Sequence, residues 1–330
     1  MTERIVIAGA SGFIGRYLAA AFRSDGAKVT TIGRAAADAS WGDRAAITDL
    51  LDGADLLINM AGRTVNCRYT PEHRQEILRS RVDTTRELSD AIEDCEAPPP
   101  LWINSSTATI YRHAEDRPMT ESTGELGTGF SVDVAKAWEA ALFEGDLPHT
   151  RRVALRMAIV LGDGSALVPL VRLARLGLGG PQLDGNWFST TARRAAGTFH
   201  EFRARGGRQR FSWIHIADVV GIIRFLRDND VSGPVNASAP GVTDSRSLMA
   251  LLRKIVHAPI GIPSPRWMLE VGSAIIGTET ELVLKSRWVV PETLEAAGYE
   301  FAFPSLEPAL RDVIVHGHSE TVVAGAEETR

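Results

Sequence analysis

RIVIAGASGFIGRYL, residues 4–18, is the stretch that decides the fold of this chain. Ile5, Val6 and Ile7 form a short apolar run that reads as a buried strand. Gly9, Gly12 and Gly15 follow at GxxGxxG spacing, and the pattern then turns helical with Phe13, Ile14, Leu18 and Phe22. The first glycine permits the tight turn off the strand, the second lets a pyrophosphate approach the backbone, and the third lets the helix pack closely on the sheet. The helix N-terminus offers free N–H groups and the positive end of its dipole to phosphates. A glycine-rich turn in some other α/β protein is the bland alternative, and the position between a strand and a helix argues against it.

The end of the second strand selects the dinucleotide. The run KVTTI, 28–32, ends in Gly33-Arg34. A site that prefers NAD places Asp or Glu about 20 residues after the glycines, to accept from the ribose hydroxyls. No acid occurs between Gly26 and Ala37. Arg34 stands instead where a guanidinium grips a 2′-phosphate, with Gly33 leaving room, so NADP(H) is the expected cofactor. A solvated surface arginine is the alternative.

Size and composition bound the rest. The 330 residues suffice for one large domain or two coupled ones, and a net charge of −5 argues against a nucleic-acid footprint. Cys67 and Cys95 are the only cysteines and have no CxxC spacing, which suggests neither disulfide framework nor zinc site and fits a reducing cytoplasm. The chain opens directly on its first strand, leaving no room for a signal peptide, and no apolar run approaches membrane-spanning length. The histidines and acids show no metal-ligand spacing, and no GxSxG nucleophile motif is present.

Strand-like and helical runs alternate through the first half: helix 45–51, strand 56–60, helix 71–93 opening on Pro71, strand 101–104, helix 131–143 and the apolar strand 152–161. Alternation with short connections predicts a doubly wound parallel sheet. The expected architecture is α/β: a Rossmann-type domain over 1–160, rejoined by 216–238, with a smaller C-terminal substrate domain over 161–215 and 239–315. The small, polar, acidic segment 316–330 reads as a disordered tail. Residues 182–205 have no clear period but mix Trp187, Phe188, Phe199 and Phe202 with arginines. Such a segment is expected to fold over the crevice mouth as a lid or pack on a second subunit; a surface excursion with locally packed aromatics is the alternative.

These motifs resemble the extended short-chain dehydrogenase/reductase superfamily, and within it the atypical "epimerase family protein" branch. The marks are GASGFIG at the start, NMAG at 59–62, SSTATIY at 105–111, ALRMAIVLG at 154–162, LGLGGP at 176–181, FSWIHIADVV at 211–220 and the segment 282–310 with SRWVVP. The resemblance implies cofactor contacts from Gly9, Ser11, Gly12, Phe13, Ile14 and Gly15 in the first turn. Arg34, Ser105 and Ala158 complete them, with Ala61 and Gly62 keeping the approach clear. Asn59 is expected nearby, tying neighbouring strands.

The departures from that pattern matter as much. Active relatives carry a YxxxK pair in which the lysine lowers the tyrosine pKa, so the phenol exchanges a proton while hydride moves to or from nicotinamide. Glu139 resembles the glutamate that follows this lysine by four residues, which puts Ser131 at the tyrosine position and Ala135 at the lysine position. Lys136 is adjacent, but one step along a helix turns a side chain by about 100°. Of the four tyrosines, Tyr17 lies on the first helix, Tyr69 in a loop and Tyr299 far along the C-terminal segment. Thr107 and Tyr111 are therefore the candidate catalytic pair, against the reading that Thr107 caps a turn and Tyr111 packs.

Arg81, His215 and Arg287 are candidate substrate contacts. Each has a structural alternative: an ion pair for Arg81, an inter-domain connection for His215 with Asp218, and a solvent-facing salt bridge for Arg287. The expected function is an NADP(H)-dependent oxidoreductase or epimerase-like enzyme on a small polar, anionic substrate, with a homodimer left open. The rival is a catalytically silent NADP(H)-binding sensor or scaffold.

Overall fold

Ile5, Val6, Ile7 and Ala8 are all buried, because strand β1 (Arg4–Ala8) lies in the middle of a seven-stranded parallel sheet. In the computed structural model, which describes residues 2–164, 167–277 and 279–316, six more strands join it. They are β2 (Lys28–Gly33), β3 (Ala39–Ser40), β4 (Leu56–Asn59), β5 (Leu101–Thr107), β6 (Arg151–Met157) and, after three short strands, β10 (Gly233–Ala237). Their spatial order is β10-β6-β5-β4-β1-β2-β3, with β1 between β2 and β4. Strands run outward in both directions from the β1/β4 junction, so the carboxyl ends open a crevice there, where such sheets bind ligands.

Helices α1 (Phe13–Ser24), α2 (Arg44–Leu51), α3 (Pro71–Glu93) and α4 (Phe130–Phe143) follow successive strands. Helix α3 starts where the sequence places it: Thr70 accepts from the His73 N–H at 3.2 Å and Pro71 occupies the first turn. Two apolar clusters pack the two faces of the sheet, one built on Ile5, Ile7, Leu56 and Ile103, the other on Val6, Ala8, Leu57 and Trp102. Alternate residues of each strand feed opposite clusters, as the period of two requires.

The apolar run 152–161, expected as one strand, is two. Strand β6 ends at Met157, and after Ala158 the chain continues as β7 (Ile159–Leu161), paired with β9 (Trp213–His215) in a separate ribbon. Ala158 donates its N–H to Ala237 O while Ile159 donates to Ser212 O, so the ladder changes partner at this residue. Beyond it come α5 (Leu167–Arg175), the short helix α6 (Thr191–Ala195) and β8 (Arg210–Phe211). Helix α7 (Ile216–Asp228) returns the chain to the sheet at β10. Then follow β11 (Thr243–Asp244), α8 (Ser245–Ile255), α9 (Arg266–Ile276), α10 (Glu281–Leu284), α11 (Glu292–Ala296) and α12 (Leu306–Arg311). Residues 317–330, nearly all of the segment expected to be a disordered tail, lie outside the described residues. Among the described residues, no helix is long and apolar enough to cross a membrane.

Asp218 clamps the C-terminal segment to α7. It is fully buried, and its two oxygens accept from the N–H groups of Ala302 (2.7 Å) and Phe303 (3.0 Å) and from the Tyr299 hydroxyl (3.2 Å). Beside it, His215 caps α7 by accepting from the Ala217 N–H at its Nδ1, and its Nε2 lies 3.2 Å from Asp312. Its ring contacts Phe303 at 3.9 Å. The pair from the WIHIADVV motif therefore joins the two parts of the chain, the connecting role among the alternatives read from the sequence.

Candidate active site

The three glycines of the first turn differ in what forbids a side chain. A Cβ at Gly9, where φ is +80°, falls 2.7 Å from Ala61 N and from the Met60 carbonyl carbon. At Gly15 it falls 2.3 Å from Gly9 O. At Gly12 it meets only Gly9 O, at 3.4 Å. Two glycines are thus required by the chain's own backbone, while the space above Gly12 is a cradle that a ligand can fill. Gly12 is also the N-cap of α1, and no side chain caps that helix, so its first N–H groups remain available to an anion. Ser11 lies exposed on the same turn, and the Phe13 ring packs against Gly162 at the end of β7.

Arg34 is exposed immediately after β2. The nearest following acid, Asp38, is turned away: its Oδ2 accepts from both the N–H and the hydroxyl of Thr31 at 2.8 Å. No carboxylate in this segment is thereby left to receive ribose hydroxyls.

Beyond the turn, a cavity of about 270 Å³ lies between the carboxyl ends of β4, β5 and β6 and the flank of α4. Ile14, Ala61, Gly62, Arg81, Ser105, Thr107 and Ala158 all line it, so seven of the sequence candidates converge here. Asn59 sits just behind, donating to Asn104 Oδ1 at 2.7 Å and accepting from the Ala61 N–H at 3.0 Å. It ties β4 to β5 and shapes the turn at Ala61. Thr107 does cap a turn, accepting from the Thr109 N–H at 3.1 Å, yet still faces the cavity.

Tyr111 is placed elsewhere. It is 1% exposed, it does not line the cavity, and its hydroxyl accepts from Arg156 Nη1 (2.8 Å) and donates to Asn236 Oδ1 (2.9 Å). This geometry favours the packing alternative for Tyr111 over contact with a substrate. Burial raises its pKa despite Arg156, so the phenol keeps its proton. His215, likewise absent from the cavity wall, is engaged as described above.

On α4, Ser131 and Ala135 do face the cavity, at the positions where the resemblance to the short-chain dehydrogenases/reductases leads one to expect tyrosine and lysine. Lys136 turns away and donates to Gly127 O at 2.8 Å. Glu139 points inward, where Arg156 grips it at 2.8 and 2.6 Å and the Ser106 hydroxyl donates to it at 2.6 Å.

The cations near the cavity are unequal. Arg81, on α3, is pressed against the Trp138 ring at 5.0 Å and donates to Ile77 O at 3.0 Å. Among the described residues no carboxylate lies within ion-pair distance of it, and burial pulls its pKa down to about 10. Arg287 donates through Nε to the Thr109 hydroxyl at 3.2 Å, and Lys285 donates to Thr109 O at 2.8 Å. These two C-terminal cations are buried behind Thr109 rather than facing solvent. Burial and the Arg287 charge lower Lys285 to about 8.

Sequence reading passed over two features. Tyr69, in the loop before α3, lines the cavity, and so does Ser131 beside it. Nothing periodic marks that loop, so only tertiary placement reveals it. The second feature is a neighbouring cavity of about 490 Å³, walled by Arg112, His113, Gly129, His200, Glu281 and Lys285. Residues 194–202 of the aperiodic segment form one side of it. That segment folds back on its own chain: Arg193 reaches Glu270 (3.3 Å) and Glu279 (3.4 Å), and Gly197 O accepts from the Phe130 N–H at the start of α4.

The two histidines of this wall carry a pH consequence. Burial, with Lys285, Arg287 and Arg112 nearby, holds His113 down to about 4, and burial with Arg266 holds His200 down to about 3. Burial lowers His215 as well. Unfolded, each binds a proton below about 6.5, whereas the folded protein does not. Stability should therefore fall as pH drops from about 6.5 towards 4. Urea midpoints at about pH 7.5 and 5 check this, and the drop should shrink in His200→Gln.

Comparison with known proteins gives the family and the fold. A model of the NAD dependent epimerase/dehydratase family matches residues 5–141, and a domain of unknown function (DUF1731) matches residues 264–313. Epimerase family protein SDR39U1 of Mus musculus is 30% identical over 321 residues, covering 94% of this chain and 99% of the mouse protein. Epimerase family protein YfhF of Bacillus subtilis is 28% identical, covering 94% and 97%. The crystal structure of human epimerase family protein SDR39U1 with NADPH superposes with a TM-score of 0.78 at 27% identity, covering 94% of this chain and 98% of the human one. The two family models match the N-terminal and C-terminal parts of the chain, the relatives match it along nearly its whole length, and the chain belongs to the epimerase family proteins, the SDR39U1-like branch of the NAD-dependent epimerase/dehydratase fold.

Proposed function

We propose that this protein is an NADP(H)-dependent oxidoreductase acting on a small carbonyl or alcohol that carries an anionic group. The observation that carries this reading is the juxtaposition of two features. Two residues past the cradle above Gly12, Ile14 lines a cavity with hydroxyl groups at Ser105, Thr107 and Ser131 and a buried guanidinium, Arg81, which among the described residues has no carboxylate within ion-pair distance. The relative solved with NADPH supports the cofactor. Gly12 and the N-terminus of α1 would hold the pyrophosphate, Arg34 the 2′-phosphate, and Ala61 and Gly62 would let the nicotinamide half enter. When bound, the cofactor supplies or takes a hydride.

Thr107 would hydrogen-bond the substrate oxygen, and Arg81 would receive its anionic group, since an uncompensated buried guanidinium gains most from a bidentate anion. Arg287 contributes at one remove, fixing Thr109 beside Thr107. Ser131 and Ala135 in place of tyrosine and lysine favour the rival reading, a silent NADP(H)-binding sensor. The rival predicts tight NADPH binding with no oxidation by any of a panel of short 2-oxo acids.

Arg34 gives the cofactor test. NADPH should bind more tightly than NADH, and Arg34→Ala should remove most of that preference, about 1.5–3 kcal/mol. Calorimetry with both nucleotides on both proteins checks it; equal affinities in the unaltered protein would refute the assignment.

A further inference from the structure

Hydride transfer to a carbonyl needs a proton at the oxygen, and among the described residues one phenol lines the crevice. Tyr17 lies along α1, Tyr111 is bonded to Arg156 and Asn236, and Tyr299 is bonded to Asp218. Tyr69 faces the cavity with Arg81, Thr107 and Ser131. Ser131 lines the same wall, and its hydroxyl reaches Glu281 Oε2 at 3.3 Å. Glu281 in turn lines the neighbouring larger cavity.

Tyr69 is held in place from two sides. Its N–H donates to Glu279 Oε1 at 3.1 Å, Glu279 is gripped by Arg68 and Arg193, and the ring packs edge-on against Phe130 at 4.9 Å. The groups acting on it are Ser131, Cys67, Glu279 and Glu281, with Arg81 in electrostatic reach. Burial pushes the phenol up to about 12, so without ligand it holds its proton.

The geometry points to Tyr69 as the catalytic acid–base of this crevice, with Ser131 and Glu281 relaying its proton to the second cavity. The function so rebuilt from the loop before α3 and from α10 is the one lost from α4, and the inference rests on the oxidoreductase reading above. In the oxidation direction, the alcohol C–H leaves as hydride to NADP+ and the O–H proton passes to Tyr69 as its own proton moves to Ser131 and on to Glu281, then to water. The products are carbonyl, NADPH and one proton; reduction runs the same steps backwards.

The test uses the full-length protein with tyrosine labelled with carbon-13 at Cζ, the Tyr69 line being assigned by Tyr69→Phe. Without ligand that line should not ionise below about pH 11; saturating NADP+ should lower its ionisation by at least one pH unit, because the oxidised nicotinamide is cationic. In parallel, Tyr69→Phe should lower kcat with NADPH and short 2-oxo acids about 100-fold or more, with NADPH affinity within twofold. Glu281→Gln should lower kcat about tenfold while leaving the NADP+ response of Tyr69 in place. Absence of NADP+ binding would sink the cofactor reading, and this inference with it. Binding with an unmoved Tyr69 line, or full kcat in Tyr69→Phe, would overturn this assignment alone. Full kcat in Glu281→Gln would overturn the relay.

Discussion

Glu139→Ala should destabilise the protein by about 3–5 kcal/mol, the cost of leaving a buried charge without its partner. Arg156 is 6% exposed and holds Glu139 through two charge-assisted bonds, while its third nitrogen supports the Tyr111 hydroxyl. From Tyr111 the network continues to Asn236, whose amide donates to Val290 O at 3.0 Å. One cluster thus joins α4, β6, β10 and the C-terminal segment. Deleting Glu139 strands the guanidinium inside it. Urea unfolding reads the effect as a lower midpoint at constant slope. Replacing both partners, Glu139→Leu with Arg156→Met, should recover much of the loss, since a buried ion pair exchanged for apolar groups is often close to neutral. A loss below about 1 kcal/mol in the single variant would mean that water reaches Arg156.

The second large effect separates the glycines of the first turn. Gly15→Ala places a methyl group 2.3 Å from Gly9 O and 2.8 Å from Ala10 Cα, and neither backbone atom can swing aside. Overpacking of this kind costs about 1–3 kcal/mol or more. Gly9→Ala adds a left-handed φ of +80° to a comparable clash and should cost more still. Gly12→Ala should cost no more than about 1 kcal/mol, yet weaken NADPH at least tenfold by filling the cradle. Unfolding midpoints and calorimetric affinities on the three variants check the contrast. Equal loss of stability at all three positions would remove the distinction.

Much of the scaffold was legible because its signals are local. Apolar runs gave the strands, Pro71 gave the start of α3, and the absence of acids after β2 pointed to Arg34. That Ile14, Ala61, Gly62, Ser105 and Ala158 would gather at one crevice was legible for the same reason. What the sequence hid depends on distance along the chain. Lys285 meets Thr109 across 176 residues, and Tyr69 meets Glu279 across 210. No periodicity encodes such meetings. The break at Ala158 was hidden too, since a change of ladder partner leaves an apolar run looking continuous. Tyr111 was singled out by elimination at the sheet's edge, but Arg156 comes from the adjacent strand and draws its hydroxyl inward.

The different grounds for the three glycines also bear on how this sequence tolerates drift. Gly9 and Gly15 answer to the fold and would be retained in any descendant that still folds, whatever it had stopped binding. Gly12 answers only to what enters the cradle. A descendant that abandoned the nucleotide could accept serine or alanine there at little cost, so this one position serves as a record of occupancy.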